Sequence, residues 1–242
     1  MGFPTLSPML TWDGFGSSLI HILPLMGPFP IMISFQFAGI PVRIEPWFWI
    51  TLFFLGGGLH ITGSQDLIYT GLFMLAGFMS IFVHELGHAL TVNRFGLPSA
   101  IRLVAFGGVA IHPDGVLNRK QTFLVSAAGP GVQAILGIIA VVVSSYLPMP
   151  EHSLLRVLLF YLVWISFIWA GFNCMPVFPL DGGQMLATVL GEKRKRWLFI
   201  TGMAFAAGMG VLAYLYIGSW VIPLFMAYFV WINWQGFQKE GR

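Results

Sequence analysis

Charge is scarce in this chain: only 9% of its 242 residues are Asp, Glu, Lys or Arg, against roughly 25% in soluble globular domains. A soluble domain with so little charge would leave its surface apolar, so that class is excluded. Polar linkers are missing as well. No Pro/Gly/Ser-rich or charged stretch is long enough to separate two domains, and no internal repeat or low-complexity segment intervenes, so residues 1–242 read as one domain. The single cysteine, Cys174, excludes an internal disulfide and reads as a small packing residue. The amino terminus lacks the basic opening of a secretory signal, Asp13 being the only charge before Arg43. What is abundant is apolar. Hydrophobic residues make up 57% of the chain, with 23 Phe and 9 Trp, and the mean hydropathy is +0.82. That is the composition of a membrane protein. The net charge of +3 does not point to nucleic acid, because the basic residues flank apolar spans, as they do beside membrane helices.

A helix that crosses a bilayer takes about 20 mostly apolar residues. The hydropathy pattern predicts about six such spans: 46–63, 67–94, 118–147, 152–175, 194–217 and 219–237. Residues 18–34 are apolar but interrupted by Pro24, Pro28 and Pro30, so they are not counted. With six spans, Arg43, Arg94, Arg102, Arg119, Lys120, the basic run 193–196, Lys239 and Arg242 share one face, leaving only Arg156 on the other. Lys and Arg collect on the cytoplasmic side, which predicts a multi-pass protein of the cell membrane with both termini cytoplasmic. Two stretches break the helical pattern. Residues 31–46 alternate around Gly39 and Pro41, and residues 98–113 are apolar and β-branched around Gly107 and Gly108. Both read as strands on the cytoplasmic side, candidates to pair with each other. The expected architecture is an all-α polytopic membrane protein: an N-terminal segment 1–45 with a strand, then a six-helix core 46–237 that includes a small β-hairpin at 98–113.

The sequence HELGH occupies residues 84–88, inside the second predicted span. Residues four apart share a helix face, so His84 and His88 can offer two imidazoles to one ion, with Glu85 beside it. Neutral imidazole suits zinc, and two histidines leave room for a third ligand and a water. The bland alternative is polar packing within a helix bundle, but a Glu and two His in one turn of a membrane helix are costly without a function. A second unusual segment, NCMPVFPLDGG, covers residues 173–183. Pro176 and Pro179 should break the helix there, and Gly182 and Gly183 permit an unusual backbone beside Asp181. Non-helical backbone at membrane depth is tolerated where it lines a cavity. An acidic residue so placed calls for a cation partner; the other reading is that Asp181 caps a short helix over 182–190.

HELGH in one membrane helix, followed by N-x-x-P-x-x-P-L-D-G-G in a later one, resembles the site-2 protease family of intramembrane zinc metalloproteases. FGGVA at 106–110 is similar to that family's membrane-embedded hairpin, and AAGP at 127–130 to its Gly-Pro helix motif. GIPVRIEP at 39–46 is similar to the strand leading into its first helix, so the resemblance covers most of residues 39–190. Gln133 departs from the pattern, since the family often has Asn at that place. The resemblance implies one zinc ion per chain held by His84, His88 and Asp181, with Glu85 as the catalytic general base. It also implies single-span membrane proteins as substrates, cut within or near their transmembrane segments. Neither an inserted PDZ domain nor a C-terminal CBS pair is expected, which leaves a bare catalytic core. Asn173, eight residues before Asp181, is the candidate to hydrogen-bond a substrate carbonyl; a helix-terminus bond is its other reading. The FGGVA strand is the candidate to pair with an extended substrate, because Gly107 and Gly108 hold no side chain against an incoming backbone. A plain turn is the alternative there.

The remaining histidines read more simply, His112 as a loop residue and His21, His60 and His152 as interfacial. Glycines 56–58 read as a site of close helix packing, and 192–196 as a solvated flank. The rival class is an ion or metal transporter or channel with an intramembrane His/Asp site. Such a protein needs neither a Glu directly after His84 nor the LDGG segment. A membrane HExxH peptidase that uses a helical Glu as third ligand finds no such Glu here, and an intact Glu85 argues against a non-catalytic relative.

Overall fold

The computed structural model of the protein describes residues 32–150, 153–218 and 220–240. The expectations attached to residues 1–31, His21 among them, and to His152 lie outside the described residues. The described chain begins with strands β1 (Ile33–Phe37) and β2 (Ile40–Ile44), joined by a turn in which Ala38 and Gly39 have φ of 50° and 78°. Strands β3 (Ala100–Val104) and β4 (Gly107–Ile111) form a second hairpin, with Phe106 at φ 57° in its turn. The two hairpins are one sheet in the order β1-β2-β3-β4, because β2 and β3 pair in parallel with Val42 opposite Ile101 and Ile44 opposite Leu103. The sequence separates these two hairpins by more than fifty residues, so their union is a tertiary event. Alternation fixes which face is inward: Ile40, Val42 and Ile44 are buried while Pro41 and Arg43 are exposed. That inner face meets Ile101, Leu103, Phe48, Leu52, Ile81 and Ala89.

Helix α1 (Pro46–Leu55) corrects the first predicted span. The span was expected over 46–63, but the helix is ten residues long. It rises about 15 Å, half of the roughly 30 Å hydrocarbon layer. The glycines end it: Gly56 N–H bonds back to Leu52 O at 2.9 Å, and Gly57 takes φ 90°. They also pack closely, as expected. A Cβ on Gly56 would come within 2.8 Å of the Phe73 ring, and Thr70 Oγ1 donates to the Gly56 carbonyl at 3.0 Å. At its other end, α1 follows Glu45, whose N–H donates to Leu103 O at 2.9 Å and whose carboxylate accepts from Arg102 Nε at 2.6 Å. Sheet and short helix are therefore stacked end to end along the next helix.

That helix, α2 (Ser64–Arg94), has 31 residues and is about 46 Å long. Its entry is fixed by Asp66, whose carboxylate reaches back to accept from Thr62 N at 2.9 Å and Gly63 N at 3.2 Å, just ahead of the helix. Helix α3 (Arg119–Tyr146) opens with a reciprocal cap, Asn118 Oδ1 accepting from Gln121 N and Gln121 Oε1 from Asn118 N. Helix α4 (Leu154–Asn173) stops before Pro176 and Pro179, as predicted. A loop with a cis Phe178–Pro179 bond leads into α5 (Asp181–Leu190). After a 3₁₀ turn (Glu192–Arg194) come α6 (Lys195–Ile217) and α7 (Val221–Lys239), packed against each other.

Among the described residues, four helices are long and apolar enough to cross a membrane: α2, α3, α4 and the stretch Glu192–Ile217 that includes α6. The expected count of six is not reached on that measure, for two physical reasons. Glycine cuts α1 short, and α7, although 19 residues long, carries Asn233, Gln235, Gln238 and Lys239 in its last two turns. Small residues let the central helices approach. A Cβ on Gly87 of α2 would overlap Ala128 and Val132 of α3, and one on Gly137 of α3 would press on Ser166 and Phe167 of α4 at 3.2 Å.

Candidate metal centre

His84 and His88 stand one turn apart on α2, and Asp181 is the first residue of α5. The loop between α4 and α5 brings them together. His84 Nε2 lies 3.1 Å and His88 Nε2 3.3 Å from Asp181 Oδ2, and the two ring nitrogens are 3.0 Å apart. All three residues are buried, at 3%, 7% and 8% exposure. Despite these short contacts, Asp181 Oδ2 has no hydrogen-bond partner of sound geometry. Nor does Asp181 cap its helix, since the position before α5 is Leu180 and no side-chain cap bond forms. The helix-cap reading of Asp181 is thereby removed.

His88 is oriented from its other ring nitrogen. Its Nδ1 lies 2.7 Å from the Val125 carbonyl oxygen, which can only accept, so Nδ1 carries the hydrogen. In a neutral imidazole Nε2 is then a bare lone pair. A buried carboxylate oxygen without a hydrogen bond, facing such a lone pair, calls for a positive charge between them, which a metal ion supplies. Two imidazole nitrogens and one carboxylate oxygen match the donor set of a zinc ion with an open fourth position. The residues present fit the metal.

The surroundings are shaped by glycine where a side chain would intrude. A Cβ on Gly129 would overlap the His88 imidazole, and Cβ atoms on Gly182 and Gly183 would overlap the backbone of 174–178. The AAGP and LDGG motifs thus earn their glycines by close approach, one beside a ligand and the other beneath one. Asn233 of α7, 0% exposed, donates to Phe178 O at 2.8 Å and to Phe229 O at 2.8 Å. It therefore anchors the loop that delivers Asp181. Arg119 donates from Nε to Thr188 O at 2.9 Å and from Nη2 to Val189 O at 3.2 Å, closing free carbonyls at the other end of α5.

Glu85 is buried at 4% exposure, covered by β4. A Cβ on Gly108 would sit within 2.5–2.8 Å of its side chain, so only glycine fits. The backbone N–H of Ala110 also faces this carboxylate. Gly107, with φ 147°, lies at the end of an apolar cavity of about 240 Å³ between α1, α2, α4 and the β3–β4 turn, lined by Phe48, Phe73, Ile81 and Trp164 among others. The structure thus brings His84, Glu85, His88, Asp181 and Gly108 into one place. The Asn173 amide is engaged within its own helix, its Nδ2 donating to Trp169 O at 3.1 Å. His112 is a loop residue beside Pro113 O.

Sequence reading missed Asn233, Ser80, Ser166 and the second role of Arg119. It flagged Gln133 only as a departure. One signal was available: Gly129 and Gln133 are four apart on α3, as His84 and His88 are on α2, so two helix faces of matching spacing oppose each other.

Known proteins share parts of this sequence and fold. Residues 148–217, which include Asp181, match Peptidase family M50. Zinc metalloprotease MJ0392 of Methanocaldococcus jannaschii is 31% identical over 160 residues, covering 66% of this chain and 45% of that protein. The putative zinc metalloprotease sll0528 of Synechocystis is 30% identical over 220 residues, covering 84% of this chain and 57% of that one. The chain thus spans about half the length of these relatives. A solved structure, the site-2 protease from Methanocaldococcus jannaschii, superposes with a TM-score of 0.60 at 26% identity, over 86% of this chain and 95% of that one. Fold, ligand cluster and relatives point the same way: residues 148–217 carry a Peptidase family M50 segment, in a chain similar to curated zinc metalloproteases and to the solved site-2 protease.

Proposed function

We propose that this chain is the catalytic core of an intramembrane zinc metalloprotease that hydrolyses peptide bonds within or near the transmembrane segments of single-span membrane proteins. The observation that carries this reading is the buried convergence of His84, His88 and Asp181 with Glu85 one residue from the first ligand. Bound to the three, zinc would supply Lewis acidity, polarising the scissile carbonyl and making a water molecule acidic enough to react near neutral pH. Glu85 takes the proton of the attacking water on its carboxylate and returns it to the leaving amine. Burial of Glu85 beneath β4 keeps bulk water from competing for that proton. Asn173 serves the developing oxyanion only if its amide turns from Trp169 O towards the site.

The substrate must reach this site unwound, since a helix keeps its carbonyls in internal hydrogen bonds. Inside a membrane each backbone group so released costs several kcal/mol if left unpaired. Strand β4, at one end of the sheet order, offers new partners by strand addition, and Gly107 and Gly108 leave the approach open. Orientation follows from connectivity. The segments 95–118 and 174–194 are separated by two spanning helices, α3 and α4, which supports placing both on one face together with their Arg and Lys residues. The positive-inside rule makes that face cytoplasmic, in the cell membrane, and sets the site in the cytoplasmic half of the bilayer. Both termini belong on this face if the sheet–α1 unit and α7 complete the first and last crossings.

Zinc removal tests the proposal. Purified protein in detergent should cut a single-span substrate, lose that cleavage on chelation and regain it with added zinc. Cleavage that persists in protein shown by elemental analysis to be metal-free would rule the reading out, as would metal transport without cleavage.

A further inference from the structure

We infer that Gln133 is a positioning residue for the metal centre: its side-chain carbonyl holds the His84 ring with the hydrogen on Nδ1, so that Nε2 faces the metal as a bare lone pair. The inference rests on the reading of His84 as a zinc ligand.

Gln133 is 0% exposed and lies one turn beyond Gly129 on α3. Its Oε1 is 2.9 Å from His84 Nδ1. Its Nε2 is 2.8 Å from Ser80 Oγ and 3.3 Å from the Ser80 carbonyl oxygen. The carbonyl oxygen of Ser80 can only accept, so the amide end facing it is the NH2 group. The end facing His84 is then the C=O, which accepts in turn, and Nδ1 is obliged to donate. Ser80 is itself fixed, its hydroxyl paired at 3.0 Å with that of Ser166 on α4; both serines are 0% exposed. A chain from His84 through Gln133 and Ser80 to Ser166 thus ties α2, α3 and α4 together and sets the direction of one ligand.

The two histidines are held differently. A backbone carbonyl, Val125 O, orients His88, whereas a side chain orients His84. Only the second is open to substitution. Leucine at 133 fills similar space but offers no acceptor, leaving Nδ1–H buried without a partner and either ring nitrogen free to carry the hydrogen. Glutamate keeps an acceptor but sets a carboxylate oxygen against the Ser80 carbonyl.

The test compares zinc affinity by chelator competition in the purified full-length chain for wild type, Gln133→Leu, Gln133→Met and Ser80→Ala, alongside thermal unfolding of each metal-free protein. Removal of a group that orients a metal-bound histidine typically weakens metal binding about 10–100-fold. That range is expected for Gln133→Leu and Gln133→Met, with a smaller loss for Ser80→Ala. In the cobalt-loaded protein the visible bands should shift for the two Gln133 variants, a change that a merely structural role does not produce. A folded Gln133→Leu protein with wild-type zinc affinity and cobalt spectrum overturns the inference. Where the Leu variant does not fold, Gln133→Met decides on the same criteria: unaltered affinity and cobalt spectrum overturn the inference. A wild-type protein that binds no zinc is a different result, since it removes the metal-site reading itself.

Discussion

Asp181 is the residue on which the centre closes. It is delivered by a loop, leaves one oxygen without a hydrogen bond and faces two imidazole nitrogens at 3.1 and 3.3 Å. Removing it leaves two protein ligands, one short of the three that a zinc site with an open fourth position needs. Asp181→Ala is expected to lose both zinc and cleavage, read by elemental analysis of the purified protein; a folded variant with one zinc per chain would remove Asp181 from the ligand set. Much of this scale was legible. HELGH announces its geometry because helical spacing alone puts His84 and His88 on one face, and Pro176, Pro179, Gly182 and Gly183 mark where a helix must break around Asp181. Gln133, Ser80 and Asn233 were not legible in the same way. Each meets a partner on another helix, and which residues face each other across helices is decided by packing, not by local pattern.

At the scale of elements, the edge strand and the loop before α5 bring the site together. Gly108 touches the Glu85 side chain so closely that any Cβ displaces it, which joins the strand's shape to the position of the proposed base. Gly108→Val is expected to abolish or strongly impair cleavage while zinc content stays at one per chain, because His84, His88 and Asp181 are untouched. Full activity would show that β4 neither guides substrate nor positions Glu85. Asn233 gives a second prediction. Its amide holds the Phe178 carbonyl, and leaving a buried polar group unpaired costs about 1–3 kcal/mol. Asn233→Leu should lower stability by about that amount and weaken zinc binding through the loop, both read by thermal unfolding with and without zinc. The hairpins themselves could be read from Gly39 and from Gly107 and Gly108. Their pairing with each other was suggested by the sequence, but the parallel register of β2 with β3, across two intervening helices, was not. The ten-residue length of α1 was partly legible, as glycines 56–58 stop a helix as readily as they let helices approach.

For the whole molecule, the account predicts that 95–118 and 191–196 lie on the cytoplasmic face. From His84 to Arg94 is ten helical residues, about 15 Å, which puts the ligand cluster about half a hydrocarbon thickness from that face. Cysteines introduced singly at Lys120 or Arg196 should be labelled from the cytoplasmic side of sealed vesicles; labelling from the external side would reverse the topology. Composition alone fixed the membrane class, because 9% charge leaves no soluble surface. The span count was harder to read, since glycine ends α1 after ten residues and α7 dilutes its apolar character with polar residues near its end.

The central claim is that a carboxylate beside a buried metal cluster moves the proton of peptide hydrolysis. Glu85→Gln tests it most directly, because the substitution keeps size and polarity but removes the ability to take a proton, and Glu85 is not among the three clustered ligands. Wild type and Glu85→Gln should be compared in the same membranes for cleavage of a single-span substrate, with zinc content measured on each. The account predicts one zinc per chain in both proteins and cleavage only in the wild type. Substantial cleavage by purified Glu85→Gln protein with its zinc in place would contradict it.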